Sequence, residues 1–220
     1  EIEFEDEIVF AVTGAEFDLA LDDSSVPMNV ACRADRGSRL EFGERRSGAR
    51  AYLAVGGGVD VPVVLGSRST HLLSGMGGFN GRQLEAGDRL HLAEFMPATI
   101  DMRHCKNEVI SVPKGGGRVR VSWGPHADRF DPCSKLTLQE GRYTITVDSN
   151  RMGYRLDGPS LTHTDGADLI SEATPIGALQ VPASGQPILL MADRQTTGGY
   201  PIIGTVIAAD LPIVGQLLPG

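Results

Sequence analysis

The sequence predicts a mainly β protein, organised as two β units with few short helices, and three observations carry that reading. Short runs rich in Val, Ile, Leu and Tyr recur between Gly, Pro and Asp, while an apolar period of 3.6 residues is hard to find. The run Tyr143-Thr144-Ile145-Thr146-Val147 is built of aromatic and β-branched side chains, which pack well on a pleated surface and lose rotamer freedom in a helix. Asp22-Asp23 stands between two apolar runs, where a two-residue hairpin turn would close them.

Taken in order, the predicted strands cover Glu7–Thr13, Glu16–Leu21, Arg39–Phe42, Ala49–Val55, Arg89–Leu92, Arg118–Ser122, Gly141–Val147, Arg155–Leu156, Ala178–Val181, Ile188–Ala192 and Ile202–Ala208. Short helices are expected at Asp60–Leu65 near Pro62, at Ala127–Phe130, and at Leu211–Leu218 with Asp210 as N-cap and Pro212 in the first turn. Polar residues from Pro97 lead into Pro113-Lys114-Gly115-Gly116-Gly117, a flexible stretch before a new strand. It divides the chain into a first β domain over residues 1–105 and a second over 118–220; the alternative is a long loop within one continuous barrel.

Composition narrows the function. At 220 residues the chain can bury a core without metal or disulfide staples, and 41% hydrophobic with 22% charged residues is ordinary for a folded globular protein. A formal charge of −8 repels a phosphate backbone, and only 5% of residues are aromatic, so no nucleic acid partner is expected. No run approaches the roughly 20 apolar residues of a membrane helix, and no basic-then-apolar leader opens the chain, so no membrane association and a cytoplasmic location are expected. The chain starts at Glu1 without Met, as a processed or trimmed chain would. Cys32, Cys105 and Cys133 form no CxxC pair and read as buried or incidental thiols. His71, His91, His104 and His163 have no ligand spacing, so no metal is expected.

Several motifs could carry chemistry. Gly56-Gly57-Gly58 lacks the Lys-Ser/Thr of a phosphate loop and reads as a sharp turn. The passage from Gly66-Ser67-Arg68-Ser69-Thr70 to Gly75–Arg82 is long and glycine-rich with two arginines, a pattern often found in functional loops. His126 and Asp128 could form an acid/base pair or serve as surface and capping residues. Arg151 and Arg155, with Tyr154 between them, could bind a carboxylate or a carboxylated cofactor through bidentate hydrogen bonds, or close a β-turn against neighbouring acids. No Gly-x-Ser-x-Gly elbow is present, so an acyl-enzyme hydrolase is not expected.

The densest run is Asp193-Arg194-Gln195-Thr196-Thr197-Gly198-Gly199-Tyr200-Pro201, set between two apolar strands. Polar groups buried there need partners, at about 1–3 kcal/mol for each one left without. Arg194 offers a cationic fork, Gln195 an amide, Thr196 and Thr197 hydroxyls, and Gly198-Gly199 room for close approach. A small amide-like substrate suits those groups, and a structural hairpin is the other reading.

Six motifs in order, Ala51–Pro62, Gly66–Thr70, Gly87-Asp88, Asn150–Leu156, Gly177–Pro182 and Asp193–Pro201, resemble the allophanate hydrolase subunit 2 family across essentially the whole chain. That family is also described as biotin-dependent carboxyltransferase-like or KipA-like. It includes the C component of the bacterial 5-oxoprolinase complex, part of the urea carboxylase carboxyltransferase domain, and a regulator paired with a histidine-kinase inhibitor. The resemblance implies a cyclophilin-like β-barrel architecture and a hetero-oligomer with a KipI-like subunit 1 homologue. It implies work on 5-oxoproline or allophanate, carboxyl transfer from carboxybiotin, or a non-enzymatic regulatory role. No cofactor is expected on this chain itself; ATP would be used by the complex, and biotin would arrive on a partner because no Met-Lys biotinylation motif is present. Family members carry several dozen further residues before the segment matching Glu1 and a short strand after that matching Gly220. The first domain is therefore expected to be N-terminally incomplete, and the motifs present assign no catalytic residue.

Overall fold

The computed structural model describes residues 1–94 and 113–220. Among these, residues 1–46 and 51–94 form one compact unit, and residues 47–50 with 113–220 form a second. Of the predicted boundary stretch Pro97–Gly117 only residues 113–117 are described, and His104 and Cys105 lie outside the described residues.

Unit 1 is built on two long strands. β1 (Ile2–Glu3), β2 (Ile8–Leu21), β3 (Ser24–Ser25), β4 (Cys32–Ala34) and β5 (Arg39–Val55) make a sheet of order β1-β5-β2-β3, with β4 also paired to β2. The two strands predicted over Glu7–Leu21 are one. Ile8, Phe10 and Val12 are buried at even positions, then Ala15 and Leu19 at odd ones. Gly14, at φ 96°, lets the strand change face in mid-course instead of ending. Asp22 and Asp23 both have positive φ, 48° and 65°, and link Leu21 to its partner Ser24, as the predicted two-residue hairpin turn requires. The predicted strands Arg39–Phe42 and Ala49–Val55 likewise merge into β5. The core holds Phe4, Phe10, Val12, Leu19 and Leu40, with the Phe4 and Phe10 rings stacked at 5.2 Å.

Residues 56–94 carry little regular structure. The predicted strand at Arg89–Leu92 is reduced to a single bridge, Val59 to Leu92. The helix expected at Asp60–Leu65 does not form: Leu65 and Gly66 have φ 49° and 78°, which reverse the chain so that Val64 bridges to Ser67.

Unit 2 contains β6 (Val121–Trp123), α1 (Pro132–Glu140), β7 (Thr144–Ile145), β8 (Gly153–Asp157), β9 (Glu172–Ala173), β10 (Ala178–Gln180), β11 (Ile188–Leu190), β12 (Thr197–Gly198), β13 (Ile202–Val206) and α2 (Leu211–Val214). Six of the strands form a sheet of order β6-β13-β10-β11-β8-β7, and β9 pairs with β12 in a separate ribbon. Phe130, Leu161, Val181, Ile203 and Val214 are essentially inaccessible in its core, each contributing about 1.5–3 kcal/mol by burial. The helical turn expected at Ala127–Phe130 is a 3-10 turn over Ala127–Arg129. α2 stops at Val214, short of the predicted Leu218. Asp210 makes no cap hydrogen bond there. Its buried carboxylate instead accepts from the Arg120 backbone N–H at 2.6 Å and from Nε and Nη2 of the same residue, which hold its pKa down to about 2. α1 was not anticipated, although Asp131-Pro132 is a start signal: the Asp131 carboxylate accepts from Ser134 N at 2.8 Å and Pro132 needs no partner for an N–H it lacks.

The middle of β5, Ser47–Arg50, belongs to unit 2. Gln216 clamps it, its Oε1 accepting from the N–H groups of Ala49 and Arg50 at 2.8 and 2.9 Å while its Nε2 donates to Arg50 O. The Arg50 guanidinium donates to Gly215 O and lies 5.8 Å from the centre of the Tyr154 ring.

Candidate functional site

The run Asp193–Pro201 leaves β11 and enters β13, and its shape is fixed by the segment Leu169–Thr174 beside it. Thr197 pairs with Ala173 and Gly198 with Glu172, and Gly199 O accepts from Leu169 N at 2.8 Å. Thr174 N donates to Thr196 O at 2.9 Å, and the Thr174 hydroxyl donates to Gln195 O at 2.5 Å. These bonds satisfy much of the turn's main chain locally.

The two arginines predicted here differ. Arg151 is engaged by Asp193, with Nε and Nη2 at 2.7 and 3.1 Å from its carboxylate oxygens, and this pair ties the loop before β8 to the start of the run. Arg194 is half-buried and donates from Nε to Thr174 O at 2.9 Å. No carboxylate pairs with it among the described residues, so its terminal nitrogens form an oriented cationic fork without a counter-charge.

Gln195 is exposed on its outer side and donates from Nε2 to Gln180 Oε1 at 3.2 Å. Gln180 sits on β10 with only 1% of its surface accessible, and its Nε2 faces Tyr200 O at 3.5 Å. Thr196 and Thr197 are exposed, and Tyr200 is 42% exposed. Gly198 is required by this packing: a Cβ there would lie 2.7 Å from Gln180 Nε2 and 3.2 Å from Thr174 Cγ2. A Cβ on Gly199 would lie 2.9 Å from Leu169 O.

Tyr154 and Arg155 stand elsewhere. Tyr154 is a core residue, 3% exposed, and its hydroxyl has no hydrogen-bond partner among the described residues. Arg155 is exposed and lines a groove with Thr146, Asp148, Pro182 and Gln186. His126 is anchored at the far end of the run: Nδ1 accepts from Ile202 N at 3.1 Å, which leaves the ring proton on Nε2, 3.4 Å from Glu172 Oε2. Glu172, not Asp128, is thus the acid facing His126.

Sequence reasoning missed Gln180, Thr174 and Glu172. For Gln180 a signal existed, a lone amide in the apolar strand Ala178-Leu179-Gln180-Val181, where a polar side chain must be paired to be tolerated. Among the described residues no cluster of His, Cys, Asp and Glu could hold a metal ion, and no helix is long and apolar enough to cross a membrane.

Comparison with known proteins places these features in a family. The chain is 40% identical over 216 residues to the C component of 5-oxoprolinase from Escherichia coli (strain K12), covering 98% of this chain and 68% of that protein. It is 32% identical over 239 residues to urea amidolyase of Saccharomyces cerevisiae (strain ATCC 204508 / S288c), covering 100% of this chain but 13% of that protein. Among solved structures, the urea carboxylase of Kluyveromyces lactis superposes with a TM-score of 0.87 at 29% identity, over 99% of this chain and 21% of that one. The mainly β fold is thus that of carboxyltransferase domains. Residues 1–220 match the family model described as carboxyltransferase domain, subdomain A and B, and the chain belongs to that family.

Proposed function

We propose that the chain is a subunit of a cytoplasmic, multi-protein enzyme that processes a small amide or lactam, opening 5-oxoproline to glutamate with ATP hydrolysis. The observation that carries this is Arg194, oriented by Thr174 O, without a counter-charge among the described residues, and next to the exposed amide of Gln195. A carboxylate would bind the guanidinium fork while Gln195 and Thr197 meet the amide edge. Hydrolysis breaks the lactam C–N bond, with water supplying the hydroxyl to carbon and a proton to nitrogen. ATP and the groups that activate the carbonyl would sit on other subunits, among them a KipI-like subunit 1 homologue. The 40% identity to a component of a 5-oxoprolinase supports this substrate.

The assembled complex should release glutamate from 5-oxoproline only with ATP, and Arg194→Ala should lower kcat/KM by at least about a hundredfold, as loss of a charge-assisted bidentate contact would. Unchanged turnover in the variant would remove Arg194 from the site. A second reading, transfer of a carboxyl group from carboxybiotin carried by another protein, is supported by the similarity to a urea carboxylase. Biotin-dependent carboxylation of urea, without glutamate release, would favour it.

A further inference from the structure

Behind the Asp193–Pro201 turn two side-chain amides stand in series, and the interior fixes their direction. A carbonyl oxygen can only accept, so the Gln180 amide must present its NH2 group to Tyr200 O, 3.5 Å away. Gln180 Oε1 then faces the turn and accepts from Gln195 Nε2 at 3.2 Å. Gln195 is left with Oε1 and its second N–H toward the exposed side. Turning either amide over would set NH2 against NH2 or oxygen against oxygen beside a residue that is 1% exposed, where mismatched polar groups are costly. Gly198 keeps the relay in place, since a Cβ there would stand 2.7 Å from Gln180 Nε2 and 3.4 Å from Gln195 Nε2.

From this we infer that Gln180 is a positioning residue that holds the Gln195 carbonyl oxygen outward, so that the site selects substrates presenting an N–H: carboxylated amides and lactams over the matching esters and lactones. The inference rests on the reading of this turn as the substrate site. With the carboxylate on Arg194, a lactam N–H donates to Gln195 Oε1. A lactone places its ring oxygen there, and two acceptors face each other. The same relay polarises Gln195 Oε1 through two successive hydrogen bonds and strengthens it as an acceptor.

The test compares binding of 5-oxoproline with that of its ring-oxygen counterpart, 5-oxotetrahydrofuran-2-carboxylate, to the assembled complex by calorimetry. Wild type should favour the lactam by about tenfold or more, the worth of one exchanged hydrogen bond. Gln180→Leu and Gln195→Ala should bring the ratio toward one, and Gln195→Ala, at an exposed position, gives the answer even if Gln180→Leu does not fold. Equal binding of the two ligands by wild type, or an unchanged ratio in Gln195→Ala, overturns the inference while leaving the lactam site intact, provided Arg194→Ala still abolishes binding. Binding of neither ligand overturns the site reading and this inference with it.

Discussion

Two passages of this chain are dense in glycine and arginine, and they use those residues in opposite ways. In Gly66–Arg82 of unit 1 the glycines serve the main chain. Gly78 and Gly81 sit at φ 52° and 66°, and an added Cβ would overlap the Thr70 hydroxyl in the first case and the Gly75 carbonyl in the second. The passage's second arginine is neutralised: Arg82 donates from both terminal nitrogens to Asp88 at 2.7 Å each and lies 5.4 Å from the centre of the Phe79 ring. In Asp193–Pro201 of unit 2 neither Gly198 nor Gly199 has a positive φ. Gly198 clears space for an amide, and Arg194 keeps a charge that no carboxylate among the described residues meets. Glycine and arginine content therefore does not distinguish the two passages; what the half-buried arginine is paired with does.

The largest effect that separates the passages should come from Gly78→Ala, which meets both an unfavourable φ and a steric overlap. A loss of about 2 kcal/mol or more in unfolding free energy is expected by urea titration, because turning the Thr70 hydroxyl away still leaves Thr70 Cβ and N at 2.8 and 3.0 Å from the added carbon. A wild-type midpoint would break the account of that passage as structural. Gly198→Ala should cost about 1 kcal/mol of stability yet lower affinity for a carboxylated lactam about tenfold, because it displaces the Gln180 amide. If affinity held while stability fell, the contrast between the two glycines would disappear.

Acid should probe both units. Hydrogen bonds from Arg82 hold the Asp88 carboxyl down from 3.8 to about 2, and hydrogen bonds from Arg120 do the same for Asp210. A depressed carboxylate contributes its stability in full above 3.8 and loses it as pH falls toward about 2. The thermal midpoint should therefore drop across that window, and Asp88→Asn and Asp210→Asn should each flatten part of the fall in a pH series of calorimetric scans. The smallest effect belongs to Arg151→Ala, whose side chain is 69% exposed in its pair with Asp193. About 0.5 kcal/mol is expected from denaturation curves, and a loss of several would mean that the pair anchors the Asp193–Pro201 turn.

The β class was legible, because Val, Ile, Leu and Tyr fall in short runs between turn residues, and so were the parts of the two long strands β2 and β5, although each was read as two. Strand ends were less so. Gly14 was read as punctuation, but β2 passes through it, and only the change of buried face from Val12 to Ala15 reveals what it does. The two-residue strands β9 and β12 have no periodicity to read; they exist because the Asp193–Pro201 turn and Leu169–Thr174 lie side by side. The candidate site was legible as a cluster of residue types, since Arg194 and Gln195 are contiguous. Its supports were not, because Thr174 and Gln180 lie 20 and 15 residues from their partners, and no local pattern carries that distance. Tyr154 was drawn toward the site by its arginine neighbours, yet strand alternation sends it inward while Arg155 faces out.

The placement of Ser47–Arg50 in unit 2 bears on how such proteins can be divided and recombined. Any gene fragment that begins near residue 113 would encode a unit 2 without the segment that Gln216 clamps and without the guanidinium that covers Tyr154. A unit 2 expressed together with a strand matching Ser47–Arg50, in cis or as a separate peptide, should therefore be more stable than one expressed without it. In this chain the border between the units is set by four residues in the middle of a strand as well as by the glycine-rich stretch that looks like a natural cut.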